Sequence, residues 1–165
     1  MKTNNILDIF LKPYKKDCQF LQSFKLVDNK GVGMFKTNSD FYSVFEKGNH
    51  FTAVELQVCL NQLLYTYFGY IGLFDYVENI DDENKLLNIQ KENTFITEQS
   101  VHFKKEIQIS DEIVGEIQIT KAKKIGNLTL MECNYKFGDG CFGMVKVALK
   151  DSNNKSIEKI LQAIN

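Results

Sequence analysis

The chain has 165 residues, 44% hydrophobic and 25% charged, with a formal net charge of -1. That length fits one domain, 1–165, with a substantial core, and the balanced charge gives no footing for nucleic acid. Four cysteines without C-x-x-C spacing and only two histidines speak against a zinc site, so neither a metal nor a cofactor is expected.

Asn5 to Leu11 carries Ile6, Leu7, Phe10 and Leu11 at helical spacing. The pattern predicts a short helix closed by Pro13, because the residue before proline avoids helical geometry. Asp8 breaks the apolar run that a secretory leader would need. Gln19 to Val27 reads as a strand, with Phe20, Phe24 and Leu26 alternating and Gln22 as the exception. Asp28-Asn29-Lys30-Gly31 turns the chain into a second strand, Val32 to Thr37.

His50 to Phe68 is long and mostly apolar, without proline or glycine. It predicts a helix of about 18 to 23 residues, roughly 27 to 35 Å long. Val58 to Phe74 carries no charge, but the run falls short of a membrane span and contains Asn61-Gln62 and two glycines. A helix this apolar must be buried on most sides. Cys59 within it suits a reduced core thiol, and the expected location is cytoplasmic. The helix also carries Glu55, Gln57, Asn61, Gln62 and Thr66, and buried polar groups need partners or a task.

Residues 78–94 are polar and weakly patterned. Strands then follow: a third marked by Val101, Phe103, Ile107 and Ile109 with a break near Lys105, and a fourth from Ile113 to Lys123 with Gly115 as a bulge position. A fifth runs from Leu128 to Phe137 and a sixth from Phe142 to Leu149. Asn154 to Ile164 reads as a closing helix. The order gives an α+β class, an antiparallel sheet wrapped around one long central helix, which is the hot-dog arrangement.

The stretch His50-Phe51-x-Ala53-Val54-Glu55-Leu56-x-x-Cys59-x-Asn61-Gln62-Leu63-x-Tyr65 resembles the central-helix signature of the FcoT-like hot-dog acyl thioesterases. Pro13-Tyr14, Ser100 to Lys105 and Gly140 to Leu149 are similar to further family segments. The resemblance implies hydrolysis of fatty acyl thioesters, with acyl-CoA or an acyl-carrier protein as substrate partner. Some relatives act on carrier-bound acyl groups and are linked to adding glycine to an enoyl chain. A non-catalytic acyl-binding module is the other alternative. The implied catalytic residues are Tyr14, a tyrosine before the helix matched by Tyr42, and Asn61. Thr52 stands where the family has Asn.

Thioester hydrolysis needs a carbonyl polariser, and the start of a buried helix presents N–H groups to a developing oxyanion. Phe51, Thr52 and Val54 mark that start; the plainer reading is an ordinary cap on Asn49. Glu55 is read either as a general base or nucleophile, or as a carboxylate bonded to the helix start or a partner subunit. Asn61 either holds water or the carbonyl, or satisfies a neighbouring backbone. Gln62 reads as an interface or structural residue. His50 is read as a base, a substrate-binding residue or a cap or turn residue, and Cys59 has no visible activating base. His102 and Lys104 are candidates for binding the glycine carboxylate in the glycine-adding alternative. Lys121-x-Lys123-Lys124 and Lys104-Lys105 are candidates for meeting coenzyme A phosphates or an acidic carrier, the plainer reading being a solvated hairpin. A single sheet layer leaves an edge open, so a homodimer or higher homo-oligomer is expected.

Overall fold

Strict alternation along Leu128 to Phe137 puts Thr129, Met131, Cys133, Tyr135 and Phe137 on one buried face, and the sheet is built outward from this strand. The computed structural model describes residues 3–37, 50–73, 92–109 and 112–150, with Glu158 and Gln162. The elements are α1 (Thr3–Leu11), a 3-10 turn (Lys16–Cys18), β1 (Leu21–Val27), β2 (Lys30–Phe35), α2 (Ala53–Tyr70), β3 (Thr94–Phe103), β4 (Ile113–Ile125), β5 (Leu128–Phe137) and β6 (Cys141–Lys150). The six strands form one antiparallel sheet in the order β1-β2-β4-β5-β6-β3. The closing helix expected over Asn154 to Ile164 lies outside the described residues apart from Glu158 and Gln162, both helical. No helix among the described residues is long and apolar enough to cross a membrane.

The helix α2 packs over β1, β2 and β4, and α1 lies against its far end. Leu56, Cys59, Leu60, Leu63, Leu64 and Phe68 are buried against the sheet residues Phe35, Ile113, Ile117 and Phe137. Ala53, Val54, Gln57, Val58, Asn61 and Tyr65 form a less buried stripe along one side. The stripe recurs at i and i+4, the spacing of one helical face.

Several strand details differ from the sequence expectation. The third strand covers Thr94–Phe103, not the run to Ile109. The chain leaves the sheet where Lys104 N–H donates to Gly140 C=O, and Gln108 then bridges back to His50. Leu26 is 41% exposed at the end of the edge strand. Gln22 is out of phase because the β1 register shifts between Leu21 and Ser23. Gly115 is no bulge: a Cβ there would lie 2.7 Å from the Phe137 ring and 2.8 Å from the Phe35 ring. The irregularity in β4 falls between Ile119 and Lys121.

Gly143 has a comparable task on β6. The Tyr135 hydroxyl crosses it to donate to Ser100 C=O at 2.8 Å, tying β5 to the edge strand β3. A Cβ at 143 would stand 2.0 Å from that carbonyl oxygen. Gly143→Ala is therefore expected to lower stability by about 3 kcal/mol. Urea unfolding checks this, and wild-type stability would show that β3 is not held this way.

Candidate active site at the start of the central helix

The sequence His50-Phe51-Thr52-Ala53 enters α2 through a capping box. Thr52, with extended backbone (φ -102°, ψ -179°), is the N-cap, in place of Asn49. Its N–H donates to Glu55 Oε2 at 2.9 Å and its hydroxyl donates to the same oxygen. The hydroxyl oxygen accepts Val54 N–H at 3.2 Å and the Glu55 N–H. Phe51 and Leu56 hold the flanking staple positions, and both are buried. Phe51 N–H donates to Ile107 C=O at 2.8 Å, which fixes the helix entry on the 105–109 segment.

The box commits the first-turn donors of Thr52, Val54 and Glu55. Ala53 N–H has no partner among the described residues. Ala53 lines a cleft of about 620 Å³ with His50, Phe51, Thr52, Phe103, Lys104, Lys105 and Glu106. A donor without a partner among the described residues, at the positive end of a helix of 18 residues, is suited to an oxyanion; Lys104 and Lys105 line the same cleft beside Glu106, with Lys105 Nζ 3.5 Å from Asp139.

The structure brings four expected substrate-binding residues, His50, Phe51, Thr52 and Lys104, to this cleft. The Phe51 ring itself is buried, 5.8 Å from the Phe137 ring. Val54 is exposed on the first turn. Glu55 is fully buried beneath Thr52, its Oε2 engaged in the box. His102 lies apart, on the sheet face that points away from α2, stacked 5.2 Å from Phe142. Lys104 connects the two faces, with Nζ 4.9 Å from the Phe142 ring centre.

Asn61 stands two turns further along the stripe, and its Oδ1 accepts from Gln57 Nε2 at 3.0 Å. Tyr14 is close to Tyr65, the next residue of the stripe. Burial first, and Tyr65 second, push the Tyr14 phenol well above its usual range, so it stays protonated and can donate. Burial and neighbouring Glu55 likewise raise the Cys59 thiol, which removes it as a thiolate nucleophile. Tyr42 lies outside the described residues. Sequence reasoning did not single out Gln57 or Tyr65 for a role. Their spacing to Asn61, four residues on either side, was the available signal. No group of three or more His, Cys, Asp or Glu is placed to hold a metal among the described residues.

A six-stranded antiparallel sheet around one long helix, with a cleft at the helix start, defines a hot-dog protein. The chain belongs to the FcoT-like thioesterase domain family, whose model matches residues 9–149. Its fold is similar to that of a hypothetical protein of Staphylococcus aureus solved in complex with CoA (TM-score 0.55, 12% identity, 86% of this chain and 87% of that one). It is also similar to a hypothetical thioesterase of Streptococcus pneumoniae with coenzyme A (0.52, 10%, 87% and 99%). A sigma28-regulated virulence protein of Campylobacter jejuni is a third (0.53, 11%, 90% and 90%). No curated protein sequence matches the chain. Family membership supports thioester hydrolysis as the reaction class.

Proposed function

We propose that the protein hydrolyses fatty acyl-CoA thioesters to free acid and thiol. The observation that carries this reading is the Ala53 N–H, without a partner among the described residues, in a cleft that Lys104, Lys105 and Glu106 also line. The N–H meets the oxygen of the thioester carbonyl as it becomes an oxyanion, while the lysines meet the phosphates of coenzyme A. Two structures of similar fold hold coenzyme A, which supports CoA as the thiol carrier.

Ala53 and Asn61 are eight residues apart, about 12 Å along the helix axis. They cannot serve one carbonyl within one chain. We therefore assign the site to a homodimer, in which the helix start of one protomer faces the Asn61, Tyr14 and Tyr65 wall of the other. The edge strand β3 exposes Phe95, Ile96, Val101 and Phe103, apolar surface suited to the pairing. Asn61 and the protonated Tyr14 then donate to the same carbonyl while water attacks it. His50 lines the cleft and is the group we assign to take the proton.

Glu55 is assigned to positioning, because its carboxylate builds the capping box that leaves Ala53 N–H open. Glutamine closes the same box. Glu55→Gln is expected to keep turnover within about fivefold of wild type, and Glu55→Ala to lose stability of about 1 kcal/mol together with activity. Loss of turnover in Glu55→Gln, with the fold intact, would instead make Glu55 the base.

The deciding experiment is thiol release from short to long acyl-CoAs, beside the same chains on an acyl-carrier protein, with and without glycine. Hydrolysis of acyl-CoA without glycine is the expected result. Glycine incorporation on carrier-bound chains alone would overturn it in favour of a biosynthetic role. Intact binding without release would leave an acyl-binding module.

A further inference from the structure

We propose that Gln57 is a positioning residue that fixes the amide of Asn61 with its N–H donors turned to the substrate. The inference rests on Asn61 belonging to the oxyanion site, and it settles which end of that amide works. Gln57 lies one turn before Asn61 on the less buried stripe, and its Nε2 donates to Asn61 Oδ1 at 3.0 Å. A primary amide has two chemically opposite ends, one that only accepts and one that only donates. Holding Oδ1 leaves the NH2 group to point away from Gln57. A thioester carbonyl offers only acceptor lone pairs, so the displayed end is the matching one. An amide free to turn would present the wrong end part of the time, and the oxyanion would meet a carbonyl dipole of the same sign. Preorganisation of this kind is where such donors gain their catalytic strength.

The assignment also separates two roles that the residue type leaves open. An Asn that holds the attacking water would accept from it through Oδ1, an oxygen with two lone pairs. Here the oxygen is already engaged by a neighbour on its own helix. One lone pair remains beside the displayed NH2 end, and Asn61 is assigned as a carbonyl polariser, on the stripe Gln57, Asn61, Tyr65 whose last residue neighbours Tyr14.

Two substitutions of opposite polarity test this. Lysine at 57 can only donate and holds Oδ1 as glutamine does. Glutamate at 57 can only accept, so Asn61 must turn an N–H to it and expose Oδ1. Gln57→Glu is expected to lower kcat about 10- to 100-fold with little change in KM, whereas Gln57→Lys stays within about threefold. In an Asn61→Ala background the two variants should turn over equally. Equal activity of Gln57→Glu and Gln57→Lys in the otherwise native protein would overturn the proposal and reduce Gln57 to packing. Full turnover by Asn61→Ala alone would defeat the underlying reading of Asn61, and this inference with it; so would a wild type that hydrolyses no thioester. A readout independent of turnover is solvent exchange of the Asn61 side-chain NH2, followed by NMR. It should be fast in wild type and Gln57→Lys and slowed in Gln57→Glu, and equal rates in all three would overturn the assignment.

Discussion

Ala53→Pro is expected to lower kcat by about 100- to 1,000-fold while leaving the fold and its melting temperature close to wild type. Few backbone donors can be deleted so cleanly. Ala53 is the first helical residue after the N-cap, the position where proline is best tolerated because its N–H has no intrahelical partner. Thr52 already has the extended backbone that a residue before proline requires. The capping box uses only the Thr52, Val54 and Glu55 groups, so it survives the change. What disappears is the Ala53 N–H, a first-turn donor without a partner among the described residues, on a residue that lines the cleft. Unchanged kcat in a folded Ala53→Pro protein would remove the helix start from the chemistry.

The same variant tests the shared site. Ala53→Pro and Asn61→Ala should each be nearly inactive as homodimers. In a mixed dimer, if sites form across the interface, one site carries both defects and the other carries neither. Random mixing of equal amounts should then restore about a quarter of wild-type activity, since half of the dimers are mixed and each has one intact site of two. If both groups act within one chain, every site in the mixture has a defect and no activity returns. The outcome thus distinguishes a site within one protomer from one built by two.

Much of this architecture can be read from residue order. The apolar run ending at Phe68 announces α2, clean alternation locates β5, and the Gly138-Asp139-Gly140 turn announces β6. The misreadings have local causes. In β3 the register slips between Ile96 and Glu98, and the strand lies at the sheet edge with exposed side chains on both faces, so alternation carries little signal. Polar turn residues before the helix draw attention to Asn49, but the cap forms at Thr52 because Glu55 three residues later completes the box. The glycine at 115 has no bulge to make; it gives room to two phenylalanine rings from other strands, a relation between distant residues. Candidate site residues could be named from chemical type. Their division into a helix-start cleft and an Asn61 wall, with His102 on the opposite sheet face, required the register.

Gln62 shows how a buried polar residue of the central helix can be structural and still bear on function. It is fully buried, and its side chain is bonded at both ends. Oε1 accepts from Phe20 N–H and Leu21 N–H, each at 3.0 Å, and Nε2 donates to Cys18 C=O at 2.5 Å. These groups lie where the chain enters β1, just before the register shift at Gln22 leaves the sheet ladder imperfect. Gln62→Leu keeps the volume but strands two N–H groups and a carbonyl in the core. At about 1 to 3 kcal/mol for each unpaired group, partly relieved by water, the expected loss is about 4 kcal/mol. For a chain of this size that lowers the melting temperature by roughly 8 to 16 °C. Hydrogen exchange should locate the damage, with the Phe20 and Leu21 amides losing protection while the β5 amides, far from the lesion, stay protected. The effect should reach the site as well. Gln19, one residue from this anchor, holds Leu11 C=O and Tyr14 C=O through its own amide at 3.0 Å each. Loosening the entry to β1 therefore frees the Tyr14 segment from Tyr65. Turnover in Gln62→Leu should fall at temperatures well below its melting transition. A variant that melts within about 2 °C of wild type would show that water or a shift of the chain replaces all three bonds, and would remove Gln62 as the link between α2 and the Tyr14 wall.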